Sequence, residues 1–345
     1  MMPVKPLGYY REKYIRHQPS AFCVGCGDGT ILNCFVRAID DLGIPQDRVL
    51  CVSGIGCSAW IPSPNFNGDT LHTTHGRALA FATGAKVFNG DLTTVVFTGD
   101  GDGAGIGGNH LIHAARRNID ITTILVNNMS YAMTGGQIAP TTHHGERTAT
   151  SPYGNPESPF DIVRLAAAAG ATYVSRWTTY HVVELTRSIK EAIQHRGFSL
   201  IEVLSQCPTQ QRRMFSMRDP VHRLPSRILE MFSESTYIRG RPEKQDYRYA
   251  IPKDSPEKTL EKISESVEKM KAEAKIVDHM AFGRVVRINA GEAEVDWDSI
   301  GRLGVVERLV GPREGKIELG VFVREERPEF TESLRRIIRV AEGGR

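Results

Sequence analysis

"VVFTGDGDGAGIGGNH", residues 95–110, begins as an apolar run and then changes character. After Val95, Val96 and Phe97 come two carboxylates, Asp100 and Asp102, set among glycines, and beyond Gly108 the chain takes on helical spacing. Glycine lets the backbone turn sharply and approach a ligand closely. Carboxylates in such a place suit a metal, a neighbouring phosphate or a plain turn, and strand-GDG-helix alone does not separate the three.

The surrounding chain alternates strand and helix. Residues 29–42 (GTILNCFVRAIDDL) have helical apolar spacing that ends at Gly43, with Pro45 just beyond. "RVLCVSGIG" (48–56) is a short buried strand stopping in glycines, and "GRALAFATGAKVF" (76–88) is a small-residue helix suited to close packing on a sheet. The strand "TTVVFTGD", the helix "NHLIHAARRN" and the strand "IDITTILVNN" follow. "FDIVRLAAAAG", "ATYVSRW", "HVVELTRSIKEAIQHRG" and "FSLIEVLSQ" repeat the pattern up to Gln206. This predicts an α/β fold with a doubly wound, mostly parallel sheet covered on both faces, and ligands at the carboxyl ends of its strands. Past Cys207 the character shifts to an α+β extension. Residues 208–250 are rich in Arg, Pro and Ser without a clear period. Residues 255–275 read as a charged amphipathic helix with Ser255 as N-cap and Pro256 in its first turn. "RVVRI", "EAEVDW" and "KIELGVFVRE" alternate like short antiparallel strands.

A second element bears on the GDG turn. Asn127 and Asn128 end "ITTILVNN", so two neighbouring strands present oxygen ligands at one sheet edge. A carboxylate, an amide carbonyl and backbone oxygens suit a hard cation such as Mg2+, which keeps water and binds phosphate oxygens. The helix starting near Gly108 points its N-terminus at the same place. The spacing is not that of a dinucleotide fingerprint, and the Lys-Ser/Thr of a P-loop is missing. Four of the six cysteines lie in a common kind of context: Cys23 and Cys26 in "FCVGCGDG", Cys57 in "GIGCSAW" and Cys207 in "SQCPT", each beside glycine, proline or a strand end. Four thiolates so placed suit Zn2+ or an iron–sulfur cluster, although the CxxC alone reads equally as a redox pair. Cys34 on an apolar helix face and Cys51 in a strand read as core.

GDG followed by NN some 26 residues on resembles the diphosphate-binding motif of the thiamin diphosphate fold. With the four cysteines, the chain resembles the β subunit of 2-oxoacid:ferredoxin oxidoreductases over residues 20 to about 210, including "SGIGCS", "HGRA", "GDGDGAGIGGNHLIHAARRNIDIT" and "YAMTGGQIAPTT". "PYGNPESPFDIVRLAAAAGATYVSRWTTYH" and "FSLIEVLSQCPTQ" look most like the 2-oxoglutarate synthase branch. The resemblance implies thiamin diphosphate held through Mg2+ on Asp100, Asn128 and the Ser130 carbonyl. Gly56, Cys57, Ser58, His75, Gly99, Gly101 and Asp102 would line the cofactor, Asp102 as a helix-start or ligand-orienting residue, and His75 would stand near the reacting centre. It further implies a [4Fe-4S] cluster on Cys23, Cys26, Cys57 and Cys207. The activity implied is oxidative decarboxylation of a 2-oxoacid, 2-oxoglutarate favoured, to acyl-CoA and CO2, with electrons leaving through the cluster to ferredoxin. An α subunit would supply the catalytic glutamate, in a dimer of αβ units or larger. Two departures from the family are Gly135, where other members carry lysine, and Ala139, where many carry serine.

The resemblance divides the chain into a cofactor-binding domain (1–210), an unrecognised insertion (211–315) and a C-terminal arm (316–345) matching "KIELGVFVREERPEF". Other readings remain open: branched-chain 2-oxoacids or pyruvate as substrate, a non-oxidative thiamin diphosphate decarboxylase, or a zinc-stabilised subunit without catalysis. Outside the family context His75 reads as a cap or core residue, His110 and His113 as helix packing, and His143 and His144 as loop. A net charge of +3 gives no case for a nucleic-acid partner. No apolar run approaches the ~20 residues of a membrane span. The first residues, "MMPVKPLGYYREKYIRH", have no apolar signal core, so the expected location is cytoplasmic.

Overall fold

The computed structural model describes residues 5–16, 20–143, 146–210, 277–281, 284–288 and 319–341. Its centre is a seven-stranded sheet. In chain order the strands are β1 (Val49–Ser53), β2 (Asp69–His72), β3 (Thr93–Gly99), β4 (Thr122–Asn127), β5 (Tyr173–Thr178), β6 (Ser199–Leu204) and β9 (Gly320–Arg324). In space they run β2-β1-β3-β4-β6-β5-β9, and every pairing is parallel except that of β9 with β5. The doubly wound, mostly parallel sheet is as the alternation predicts. The central strands β4 and β6 are buried at every residue, which is why they read as near-continuous apolar runs.

Helices cover both faces. α3 (Ala78–Phe88), α4 (Gly108–Arg117) and α5 (Ile162–Ala169) bury Leu79, Ala82, Leu111, Ala115, Ile162 and Ala166 against Val52, Val96, Leu125, Val174 and Leu200. Phe97 neighbours Val96 and so points to the opposite face, where its ring meets Phe35 edge-on at 5.1 Å. Phe35 belongs to α2 (Asp28–Leu42), which packs on α6 (Val182–Gln194). Residues 31, 35 and 39 of α2 form its buried stripe. The helix ends at Gly43 (φ +65), with Gly43 N–H on Asp40 O and Ile44 N–H on Ile39 O, a left-handed cap that favours glycine. Cys34 and Cys51 are core residues, as read from their positions.

Four elements escape the periodicity reading. α1 (Leu7–Tyr14) is short, β2 is a short exposed edge strand, α7 (Phe330–Ala341) follows β9, and the seven residues Asp100–Ile106 form a π-helical turn ahead of α4. By contact, the chain divides into one unit of Met1–Phe232 with Leu319–Arg345 and another of Ser233–Glu318. Within the second, β7 (Val277–Ala281) and β8 (Arg284–Ile288) form an antiparallel pair, of which "RVVRI" is the half read from sequence. The helix expected over 255–275 and the strand "EAEVDW" lie outside the described residues, as does His144.

One side chain joins the C-terminal arm to the sheet. Asn118 ends α4 in the left-handed conformation (φ +54). Its Oδ1 accepts from Thr172 Oγ1 at 2.7 Å and Phe198 N at 2.8 Å, while its Nδ2 donates to Pro328 O at 3.2 Å. Asn118→Ala should therefore cost about 3 kcal/mol in urea denaturation, because it orphans buried donors and strains the cap. Asn118→Asp, which keeps the acceptor, should cost about a third as much.

Candidate functional site

Parallel pairing gives the site its location. β1, β3, β4 and β6 are adjacent, and their carboxyl ends lie at one edge of the sheet: Ser53 pairs with Phe97, Gly99 with Val126 and Asn127 with Leu204. The segments leaving that edge are Gly54–Ser58, Asp100–Gly107, Asn128–Ser130 and Ser205–Cys207, so residues from four separate stretches of sequence converge. The chain leaves β1 toward β2 on one side and β3 toward β4 on the other, which opens a crevice between the two connections.

Asp102 organises this crevice. Its buried carboxylate accepts from Ile55 N (3.2 Å), Gly76 N (2.7 Å) and Thr98 Oγ1 (2.6 Å), and His75 Nδ1 lies 2.8 Å away. Gly54 makes this possible, since a Cβ there would stand 2.0 Å from Asp102 Oδ2. His75 is thus oriented by Asp102, while His72 contacts Ser53 Oγ at 3.2 Å on the outer strand. The two aspartates of the GDGDG turn have different surroundings: Asp102 binds the loops together, whereas the Asp100 side chain meets the Thr141 hydroxyl.

Asp100 is buried, and burial pushes its carboxyl up to about 7, against a short hydrogen bond donated by the Thr141 hydroxyl. Gly101 lies flat under the Tyr131 ring, where a Cβ would come within 2.3 Å of the ring carbons, and Tyr131 Oη donates to Gly101 O at 3.1 Å. On the neighbouring turn Asn128 Oδ1 accepts from Ser130 N at 3.2 Å. Ser58 is buried with its Oγ against Gly99, which seats the Gly56–Ser58 turn beside the GDG turn. Gly56 holds φ +120 with open space around it. The donor set fits a divalent cation bridging to a diphosphate. A buried carboxylate with a raised pKa has lost most of its water, and a cation in front of it restores the charged form.

Two of the cysteines, Cys57 and Cys207, come from these segments, and Cys23 and Cys26 from the stretch ahead of α2. Cys23 and Cys26 are carried to the edge by Gly27, whose N–H donates to Gln206 O at 3.3 Å and whose missing side chain leaves room for Ser205 Oγ. None of the four is in a disulfide. Burial, then Asp28, then Cys207 and Cys23 raise the Cys57 thiol to about 12. Burial, Asp28, Cys207 and Cys57 likewise raise Cys26. The four thiols therefore share one electrostatic neighbourhood, and protonated thiols of this kind become thiolates only against a cation. Among the described residues no three His, Cys, Asp or Glu side chains converge on a point that could hold a single metal ion. Four cysteine thiols are the donor set that a tetrahedral zinc or a [4Fe-4S] cluster takes.

Several residues were not singled out from sequence: Thr141, Tyr131, and Asp28 in the GDG of residues 27–29, which is buried and raised to about 6 by its burial. Asp28 was legible as a helix-start acid before α2, but its nearness to Cys57 was not. The positive φ of Gly135 (+119) and Gly136 (+86) shapes the 131–137 hairpin, where Tyr131 N–H donates to Gln137 O. That backbone favours glycine at both positions. His110 is not packing the helix: its Nε2 meets Arg77 Nη1 at 2.7 Å on an exposed surface, and His113 accepts from Arg116. No described helix is long and apolar enough to cross a membrane.

Comparison with known proteins agrees with this geometry. Residues 54–203 match the family model "Thiamine pyrophosphate enzyme, C-terminal TPP binding domain", so the fold and site are of the thiamin diphosphate enzyme class. The chain is 54% identical over 210 residues to 2-oxoglutarate synthase subunit KorB of Methanocaldococcus jannaschii, covering 60% of this chain and 77% of that one. It is 56% identical over 211 residues to the same subunit of Methanothermobacter thermautotrophicus, covering 61% and 73%. A solved structure, 2-oxoglutarate:ferredoxin oxidoreductase from Magnetococcus marinus with 2-oxoglutarate, coenzyme A and succinyl-CoA bound, aligns with TM-score 0.65 and 30% identity over 97% of this chain and 91% of that one. The chain belongs to the 2-oxoacid:ferredoxin oxidoreductase β-subunit family, in its 2-oxoglutarate synthase branch, as the sequence motifs imply. It is an oxidoreductase subunit of the thiamin diphosphate class.

Two outcomes follow from the carboxylates. Asp100 has a folded pKa of about 7 against an ordinary 3.8, so the folded state binds the extra proton between those values. Metal-free protein should lose stability on this account as pH rises from about 4 to about 7, by up to roughly 4 kcal/mol. Asp100→Asn should flatten that part of a melting-temperature profile. Asp102→Asn should cost only about 1 kcal/mol, because its Oδ1 still accepts from both backbone amides and Thr98 can turn to accept. Asp102→Ala, which orphans three donors, should cost about 3 kcal/mol or more in the same assay.

Proposed function

We propose that this chain is the thiamin diphosphate-carrying β subunit of a CoA-acylating 2-oxoglutarate:ferredoxin oxidoreductase, converting 2-oxoglutarate to succinyl-CoA and CO2 with electrons passed to ferredoxin. The observation that carries it is the convergence, at one sheet edge, of a buried Asp100 opposite the Asn128–Ser130 turn with four coupled thiols around Cys57. Names and contents of the relatives support the substrate: the two KorB subunits and the Magnetococcus marinus enzyme with 2-oxoglutarate and coenzyme A bound.

In this reading Asp100, Asn128 and the Ser130 carbonyl hold Mg2+ against the diphosphate. The glycines of residues 99–108 let the backbone approach it, and the first turn of α4 directs N–H groups toward it. Bound there, thiamin diphosphate supplies the electron sink for decarboxylation, and a [4Fe-4S] cluster supplies one-electron transfer. Asp102 stands beside the His75 ring, its carboxylate 2.8 Å from Nδ1. Tyr131 closes over Gly101 and excludes water from the Asp100 side. Cys23, Cys26, Cys57 and Cys207 hold the cluster, and Cys57, next to Ser58, sets it close to the cofactor. An α subunit completes the site with the glutamate that this chain lacks, in a dimer of αβ units or larger, in the cytoplasm. The domain limits 1–210, 211–315 and 316–345 belong to this proposal, the arm contributing β9 to the sheet.

The test is elemental and cofactor analysis of the anaerobically purified αβ complex. Four irons, four sulfides and one thiamin diphosphate per β subunit are expected. Zinc without iron would overturn the electron-transfer half. Asp100→Asn should lose thiamin diphosphate and keep iron, and Cys207→Ser should lose iron and keep thiamin diphosphate. Loss of both in each variant would contradict two separate sites.

A further inference from the structure

The Asn128–Ser130 turn hangs on a buried polar chain that reaches it from inside the sheet. Asn127, the last residue of β4, donates from Nδ2 to Glu202 Oε1 at 2.7 Å on neighbouring β6, and its Oδ1 accepts from Met129 N at 3.1 Å. Its own carbonyl accepts from Ser205 N at 2.9 Å. Met129 sits at φ +60, a conformation that costs a non-glycine residue about 1 kcal/mol or more. Asn127 grips its N–H, and the Thr142 hydroxyl donates to its carbonyl at 2.7 Å. This strained residue separates Asn128 from Ser130, so it sets where both present their oxygens.

Behind Glu202 the chain continues. Glu202 Oε2 accepts from Arg176 Nε at 2.6 Å on β5, and Arg176 Nη2 donates to Asp161 Oδ1 at 2.7 Å at the start of α5. Glu202 is 1% exposed and Arg176 6%. A buried ionic row adds little stability over apolar residues of equal volume, but it fixes rotamers. Each Glu202 oxygen has one partner, and the carboxylate cannot turn without breaking both bonds.

We infer that Glu202 is a positioning residue for the metal–diphosphate turn: anchored by Arg176, it sets the Asn127 amide, and Asn127 sets the left-handed Met129 between Asn128 and Ser130. This rests on the proposed role of that turn in holding Mg2+. Partners that orient metal ligands in this way are worth 10- to 100-fold in metal affinity.

The experiment uses the αβ complex stripped of cofactor and measures the Mg2+ concentration needed for half-maximal retention of thiamin diphosphate. Glu202→Ala and Asn127→Ala should each raise it by about tenfold or more. A purely structural role would lower the melting temperature of the stripped complex and leave the Mg2+ requirement unchanged, and that result in folded Glu202→Ala would overturn the inference. Should Glu202→Ala fail to fold, because it strands the Arg176 charge, Asn127→Ala leaves the Arg176–Glu202 pair intact and decides alone: an unchanged Mg2+ requirement overturns the inference, a raised one supports it. Wild-type complex with no Mg2+-dependent retention would instead overturn the thiamin reading itself.

Discussion

A single buried carboxylate holds the loops of this site together. Asp102 collects a backbone amide from the loop after β1, another from the loop after β2 and a hydroxyl from β3 itself, with the His75 ring beside it. Donors left without this acceptor would each face the full cost of an unpaired buried group. The loops are consequently fixed relative to one another before any ligand binds. Gly54 is the counterpart of that arrangement, since any larger residue would occupy the carboxylate's position. With the crevice pre-formed by protein contacts, binding energy for a cofactor need not be spent on ordering it.

The parallel sheet is what makes such a concentration of polar groups tolerable. All four strand ends open at the same edge, so carboxylates, amides and thiols gather there while the strands behind them stay apolar and covered on both faces. Several of the buried charges are answered by neighbours. Arg176 stands between Glu202 and Asp161, and Thr141 donates to Asp100. Asp28, beside the cysteines, leaves one oxygen without a hydrogen-bond partner, and burial first, then the Asp28 charge, favour the protonated form of the Cys26 and Cys57 thiols. Apolar scaffold and charged rim follow from one topological choice.

The departures from periodicity have ordinary causes. β2 is four mostly exposed residues on a sheet edge, where no buried face imposes alternation. The π-helical turn of Asp100–Ile106 has no apolar period because its residues are glycines and acids chosen for ligand approach. β9 reads as an antiparallel strand from its alternation, but its partner β5 lies some 150 residues earlier in the chain. Periodicity records which faces are buried, not which strand buries them.

The alternation of strands and helices up to Gln206, apart from α1, β2 and the π-helical turn, was legible in the sequence, as were the paired GDG and NN elements and the core places of Cys34 and Cys51. They are local: each depends on a residue's immediate neighbours, on burial period or on the backbone freedom of glycine. The family resemblance already separated Asp100 from Asp102, but the partners that distinguish them were not local: Asp102 meets Ile55, Gly76 and Thr98, and Asp100 meets Thr141. Thr141, Tyr131, Asp28 and the Asn127–Glu202–Arg176 row became visible for the same reason. Their partners lie tens of residues away in the chain, brought within hydrogen-bonding or contact distance only when parallel pairing aligned β1, β3, β4 and β6 at a common edge.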